Sequence, residues 1–262
     1  MKVLGIIFEN NNTNITEVNL QPKLLQIQKE IAHWRRRNLT VLGRITVVKS
    51  LLISKLVHQF TALPNPTKKE LKNLNKLLYQ FIWAGRRDPI KRAKLIQNYT
   101  NGGLSMIDIQ AFINSMKLTW LKRLMQSQAQ WTKVSVLELP KPIQEIMSYG
   151  NKFIRKIKVK VTNQFWKDVL EAFELFTREH IPDIEEILSE SIWFSDYTKF
   201  TGSMMRSWHS RGIRFIYDLF DENTGRLHTK ESLEKAYNIG MTFLCYTSLV
   251  RSLPDSIKKH LN

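Results

Sequence analysis

Apolar residues recur at helical spacing through most of the first 126 positions, and proline or glycine punctuates each run. A chain written this way has to fold as packed amphipathic helices. Leu20, Leu24, Ile27, Ile31 and Trp34 follow one another at steps of four, three, four and three, which puts them on one stripe. This helix ends in Arg35, Arg36 and Arg37, cations that suit a helix C-terminus. Thr40 is a capping residue for a second helix, with Ile45, Val48, Leu52, Leu56 and Phe60 on its inner face and a stop near Pro64 and Pro66. Thr67 opens T-K-K-E, a capping box with Glu70, and Leu71, Leu74, Leu78 and Phe81 mark a third stripe that Gly85 ends. Gly102-Gly103 reads as a turn. Asp108 caps a fourth helix carrying Phe112, Met116, Trp120 and Leu124.

The rest of the chain is less regular. Lys2 to Phe8 reads as a short β-strand, broken by the Asn-rich stretch Glu9–Asn14. Beginning in the middle of such a run suggests a piece of a longer chain, whose partner strand lies upstream. The strand is therefore expected to fray, or to borrow a partner elsewhere. Residues 127–162 read as a connector, with the alternating stretch Arg155 to Val161 either a strand or a basic linker. Helical spacing returns at Phe165, Val169, Phe173 and Phe176, and short helices are expected after Thr229 and Thr242. The fold class is mainly α: a basic helical domain over 9–126 with a short N-terminal strand (1–8), and a smaller, mostly helical region over 163–262. Only 10 Gly and 8 Pro argue against a many-stranded β fold.

Charge separates the two halves. Residues 1–130 hold 21 Lys and Arg against 6 Asp and Glu, whereas 131–262 hold 19 against 17. A polyanionic partner explains this asymmetry better than a solvated surface, because neutralised phosphates release counterions. An anionic membrane is the competing polyanion. No run approaches the roughly 20 apolar residues of a membrane span. One cysteine, Cys245, rules out an internal disulfide and a cysteine-based zinc site, and an intracellular, non-secreted protein is expected.

Several chemistries have no signature here. A two-metal polymerase needs clustered carboxylates, and no Asp-Asp pair occurs. Glu185-Glu186 and Asp221-Glu222 stand without any accompanying motif and read as solvated faces. There is no P-loop, HExxH or GxSxG. Cys245, among Phe243, Leu244 and Tyr246, reads as a small core residue.

The basic motifs are the candidate site. Arg35, Arg36, Arg37, Arg44, Lys49 and Lys55 precede a cluster of Arg86, Arg87, Lys91, Arg92 and Lys94. Arg44 and Lys55 are eleven residues apart, within about 20° on an ideal helix. Arg forks fit phosphate oxygens, and Lys supplies a point charge. Trp34 and Trp120 read as core. For Trp83, packing and stacking on a base both stay open.

These residues carry a family likeness. WRRRNLTVLGRITVVKSLLISKLVHQFTALPNP (34–66) resembles the thumb of LINE-type (non-LTR) retrotransposon reverse transcriptases. FIWAGRR (81–87) with Lys91 and Arg92, GGLSMIDIQAF (102–112) and KVLGIIF (2–8) resemble further segments of that family in the same order. The last is similar to its primer-grip strand, which assigns Leu4 and Gly5 to the primer end. SIWFSDYTKF, WHSRGIRFIYDLFDENTG and KAYNIGMTFLCYTSLVRSLP are similar, less specifically, to the region after the thumb.

The resemblance implies a thumb-like bundle that holds a template–primer duplex. Its ligands would be an RNA template, a DNA primer or their hybrid, with no cofactor and no small-molecule substrate. The family's catalytic Asp-Asp motif and endonuclease have no counterpart in this sequence, so no polymerase activity is expected of the chain alone. Two other classes stay open: a helical interaction or scaffold protein that binds an acidic partner, and a peripheral membrane binder.

Overall fold

The computed structural model describes residues 1–8, 14–127, 129–180, 182–198, 200, 204–221 and 224–259; for 134–137 and 205 it describes the backbone. The Asn-rich break falls mostly at 9–13, outside the described residues. The fold is mainly helical with a short N-terminal hairpin, and it divides into two compact units, Met1–Trp120 and Leu121–Asn262.

The N-terminus corrects the expectation of a lone strand. Strand β1 (Lys2–Val3) pairs antiparallel with β2 (Ile6–Ile7). The two residues between them, Leu4 (φ 48°) and Gly5 (φ 84°), are both left-handed. That is the geometry of a tight two-residue hairpin turn, which the strand reading overlooked because Leu is an unusual first residue for it. The outer edge of β2 does borrow a partner. The Asn19 amide accepts from the Ile7 N–H at 2.7 Å and donates to the Ile7 carbonyl at 2.8 Å, as a neighbouring strand would.

Helix α1 (Ile15–Arg35) buries Leu20, Leu24, Ile27 and Ile31, the expected stripe. The second helix starts where expected, with the Thr40 hydroxyl accepting from the Gly43 N–H, but it is not a uniform rod. It is α2 (Val41–Val47), then a π-helical turn (Val48–Leu52), a 3₁₀ turn (Ile53–Leu56) and α3 (Val57–Ala62). Wide and narrow turns change the phase of the faces, so Val47 and Ile53 join Ile45, Val48, Leu52, Leu56 and Phe60 in the core. Helix α4 (Lys68–Ile82) has its capping box complete between Thr67 and Glu70, and it buries Leu74, Leu78 and Phe81.

The chain after α4 turns on left-handed Ala84 and Gly85, passes α5 (Arg92–Ile96) and reaches Gly102-Gly103. Gly103 is fixed by crowding: a Cβ there would lie 1.9 Å from the Gln97 carbonyl oxygen. Asp108 caps α6 (Ile109–Gln126), its carboxylate accepting from the Gln110 and Ala111 N–H groups. The buried line of α6 in this unit is Ile109, Ile113 and Lys117; Phe112, Met116 and Trp120 are half-buried beside it. A stripe counted on apolar residues alone falls one position off, because a lysine occupies the inner face.

The second unit corrects the connector. Residues 127–162 form α7 (Trp131–Glu138), α8 (Ile143–Ser148) and α9 (Asn151–Lys158), and no strand runs through 155–161. The basic residues there sit on the outer face of α9, with Ile154 and Ile157 buried on the inner. Helix α10 (Gln164–Glu179) buries Trp166, Val169, Leu170 and Ala172, while Phe176, placed on its stripe by spacing, is exposed. After α11 (Ile184–Leu188) and α12 (Met205–Ser210), helices α13 (Lys230–Tyr237) and α14 (Phe243–Ser252) begin at the two expected caps, Thr229 and Thr242; α15 (Asp255–Lys259) follows. Trp193, Phe200 and Trp208 pack together at the centre with Leu233, Leu249 and Leu253. Cys245 is half-buried against this core, but its neighbours Phe243 and Leu244 are exposed.

Gly103→Ala is expected to destabilise the first unit by about 2–4 kcal/mol, since a backbone carbonyl must move. Gly240→Ala, where an added Cβ meets nothing within 4 Å, should change stability by less than about 0.5 kcal/mol. Urea denaturation of the two variants checks both, and equal midpoints would contradict the crowding at Gly103.

Candidate nucleic-acid interface

Within the first unit, α1 and α4 run the same way. The Thr16 hydroxyl donates to the Pro64 carbonyl at 3.2 Å near both N-termini, and a groove then runs between Gln21–Gln28 and Glu70–Gln80. Both C-termini therefore lie towards one end of the bundle. Arg35, Arg36 and Arg37 are exposed there, following the last turn of α1. Arg44 reaches the end of α4, its guanidinium donating to the Ile82 carbonyl at 3.2 Å. Arg86 and Arg87 are exposed in the turn after α4, where the Arg86 N–H donates to the Trp83 carbonyl.

The side chains differ in what already holds them. Arg35, Arg36, Arg86 and Arg87 make no side-chain hydrogen bond or ion pair among the described residues. Arg37 lies over the Trp34 ring at 4.6 Å. Arg92 is ion-paired with Asp88 at 2.7 Å and stacked over Tyr79 at 4.3 Å. Burial pushes the Tyr79 phenol above its ordinary pKa, and the nearby Arg92 charge opposes this. Lys94 donates to the Asn101 carbonyl, while Lys91 stands exposed at the start of α5.

Two candidates separate from this end. Lys49 donates to the Ser105 carbonyl at 3.0 Å, and Lys55 is ion-paired with Glu30 of α1 at 3.3 Å. The face shared by Arg44 and Lys55 on an ideal helix is interrupted by the π and 3₁₀ turns between them, and each has its own partner on a different helix. Leu4 and Gly5 occupy the other end of α1. The Leu4 carbonyl accepts from His58, and about 30 Å of helix rise separates the hairpin from the arginines.

Trp34 packs against the core, and the Trp120 indole donates to the Thr61 carbonyl at 2.8 Å, so both are structural. Trp83 also packs against the core, but its indole N–H is buried and meets no acceptor among the described residues.

Some cations in the second unit are held by acids. Glu174 takes Lys158 at 2.7 Å and Arg155 at 3.3 Å, and Arg155 also binds Asp196 at 2.9 Å. Lys141 pairs with Glu145, and Lys230 with Glu234. Within the basic run 155–160, Arg155 and Lys158 thus clamp α9 to Glu174 of α10, and Lys156 lies over the Phe194 ring at 4.6 Å.

Sequence reasoning passed over two polar groups. Lys117 is fully buried and donates to the Leu63 carbonyl. Ser148 and His209 are both buried and 2.8 Å apart. Ser148 donates its own proton to the Glu145 carbonyl, so it accepts from His209, the reverse of a nucleophile handing its proton to a base. Neither position had a sequence signal, since each partner is remote in the chain.

No protein-family model matches the chain. Among the described residues no group of three His, Cys, Asp or Glu side chains could hold a metal ion, and no helix is long and apolar enough to cross a membrane.

The Glu174 clamp has a pH signature. Hydrogen bonding from Lys158 holds its carboxyl below the ordinary range; burial opposes this, and the Lys158, Arg155 and Arg178 charges add to it. Its contribution is present above the ordinary carboxylate pKa and is lost as pH falls through the depressed folded value. Glu174→Gln should lower the midpoint of urea unfolding at pH 7 and leave it unchanged near pH 2. An equal loss at both pH values would show that the clamp acts through shape rather than charge.

Proposed function

We propose that the first unit is a nucleic-acid-binding module of the reverse-transcriptase thumb type, which grips the sugar-phosphate of an RNA–DNA hybrid or similar duplex without reading its bases. The observation that carries this is the arginine-rich end of the bundle: Arg35, Arg36, Arg86 and Arg87 are exposed there together and make no side-chain hydrogen bond or ion pair among the described residues. Unengaged guanidinium forks suit phosphate oxygens and give affinity with little sequence choice. The excess is concentrated here: residues 1–120 hold 19 Lys and Arg against 6 Asp and Glu.

The residue-level likeness over 1–126 points the same way and supplies the ligand class, template RNA and primer DNA. On this reading the chain binds and does not polymerise, and it works in the cytoplasm or nucleus. The hairpin tip at Leu4-Gly5 would meet the primer end, about 30 Å from the arginines along α1.

Replacing Arg35, Arg36, Arg37, Arg86 and Arg87 together by Ala should weaken hybrid binding for unrelated sequences alike. It should also flatten the plot of log K against log salt by roughly 0.9 for each lost phosphate contact. Lys49→Ala with Lys55→Ala should leave that slope nearly unchanged. A fivefold variant that stays folded and keeps the original slope would remove this end of the bundle from the interface. If the original chain instead bound anionic vesicles with a steep salt dependence and bound no hybrid, the nucleic-acid reading would fall.

A further inference from the structure

The second unit contains a half-open cavity of about 430 Å³ between α8 and α12. Its lining includes Glu145, Ser148, Tyr149, Arg206, His209 and Arg214. We propose that this cavity is a site for a phosphate group, held by the Arg206 and Arg214 guanidinium forks above a floor of His209 and Tyr149.

The floor is rigid and its protons can be placed. The His209 ring stacks on Tyr149 at 4.1 Å with 8° between planes. Because the Ser148 hydroxyl donates to the Glu145 carbonyl at 2.8 Å, its remaining lone pairs face His209 Nε2 at 2.8 Å. Neutral His209 therefore carries its proton on Nε2, and Nδ1 is the nitrogen that takes up a second one.

The walls supply the charge. Arg214 Nε donates to the His209 carbonyl at 3.5 Å, which anchors the stem and leaves both terminal amino groups of the fork. Arg206 makes no hydrogen bond or ion pair among the described residues, and both arginines are exposed. The one acid in the lining, Glu145, is already paired with Lys141. The free Arg206 fork and the two terminal amino groups of Arg214, over a buried imidazole, match the oxygens of a phosphate.

The ligand is recognised by its charge and not by a base. The Tyr149 ring already meets His209, Phe153 at 4.6 Å and the Lys141 ammonium at 5.2 Å, so it offers no face for stacking.

Burial, followed by the Arg214 charge, pushes His209 below its ordinary pKa; Glu145 opposes this and Lys141 adds to it. A bound dianion would draw the imidazole back up, so affinity should rise as pH falls through the His209 transition. Sulfate separates this from the ligand's own titration, because it stays a dianion throughout.

The test follows the His209 ring signal by NMR in the full chain, assigned with His209→Gln. That signal reports on this cavity whatever the first unit binds. Added inorganic phosphate should shift it saturably, and sulfate should raise its pKa. Arg206→Ala with Arg214→Ala should weaken the response at least tenfold, and Arg206→Lys should weaken it less. A 5′-phosphorylated dinucleotide that shifts the signal, where its 5′-hydroxyl counterpart does not, identifies a nucleic-acid end as the source. A response to free phosphate alone identifies a small ligand, and either source upholds the site. No saturable shift, or a response within twofold of the original in a folded double variant, would overturn it.

Discussion

Helix α3 ends at a proline-rich stop, and the carbonyls left over at that stop tie the first unit together. Pro64 and Pro66 prevent the helix from continuing, so the oxygens of its last turn lose their intrahelical donors. Three carbonyls in and just beyond this last turn take a side chain from elsewhere. Trp120 donates to the Thr61 carbonyl, Lys117 to that of Leu63 and Thr16 to that of Pro64. A hydrogen bond from a charged donor is worth about 1.5–3 kcal/mol net, and a buried carbonyl without a partner costs a similar amount. The stop therefore fixes α6 and α1 against α3. Because α1 and α4 both set out from this end, it also decides where their C-termini, and the arginines that follow them, come to lie.

The second consequence lies in the long helical segment 41–62. An uninterrupted α-helix would have put Arg44 and Lys55 on one face. The π and 3₁₀ turns break the phase, and Arg44 goes to the end of α4 while Lys55 goes to Glu30. Proximity in sequence thus does not define the basic surface. What marks the arginine end is that Arg35, Arg36, Arg86 and Arg87 come together there with their guanidinium groups unengaged among the described residues. Cations near helix C-termini also complement the helix dipole, but that effect is worth only about 0.3–1 kcal/mol on an exposed surface and does not require six arginines.

Much of this was legible in the sequence. Caps at Thr40, Thr67, Asp108, Thr229 and Thr242 are local signals, readable from a few neighbouring residues, and all five open helices. The stripe of α1 was equally plain. What escaped depended on contacts remote in the chain. The hairpin turn needed a left-handed leucine, tied at its carbonyl to His58. The helices of 127–162 are only six to eight residues long, so each offers too few repeats to stand out, and the basic run on α9 concealed an internal clamp to Glu174. The inner face of α6 carried a lysine that no apolar count would include. The candidate arginines were visible as a composition, but their division into engaged and unengaged groups was visible only in three dimensions.

The central claim is that the arginine end of the first unit meets nucleic acid. Hydrogen exchange measured along the full chain, with and without an RNA–DNA hybrid, tests it most directly. Added hybrid should slow exchange in peptides covering residues 35–44 and 83–92, and leave those covering 151–179 unchanged. Protection confined to the second unit, or spread evenly over both, would contradict it.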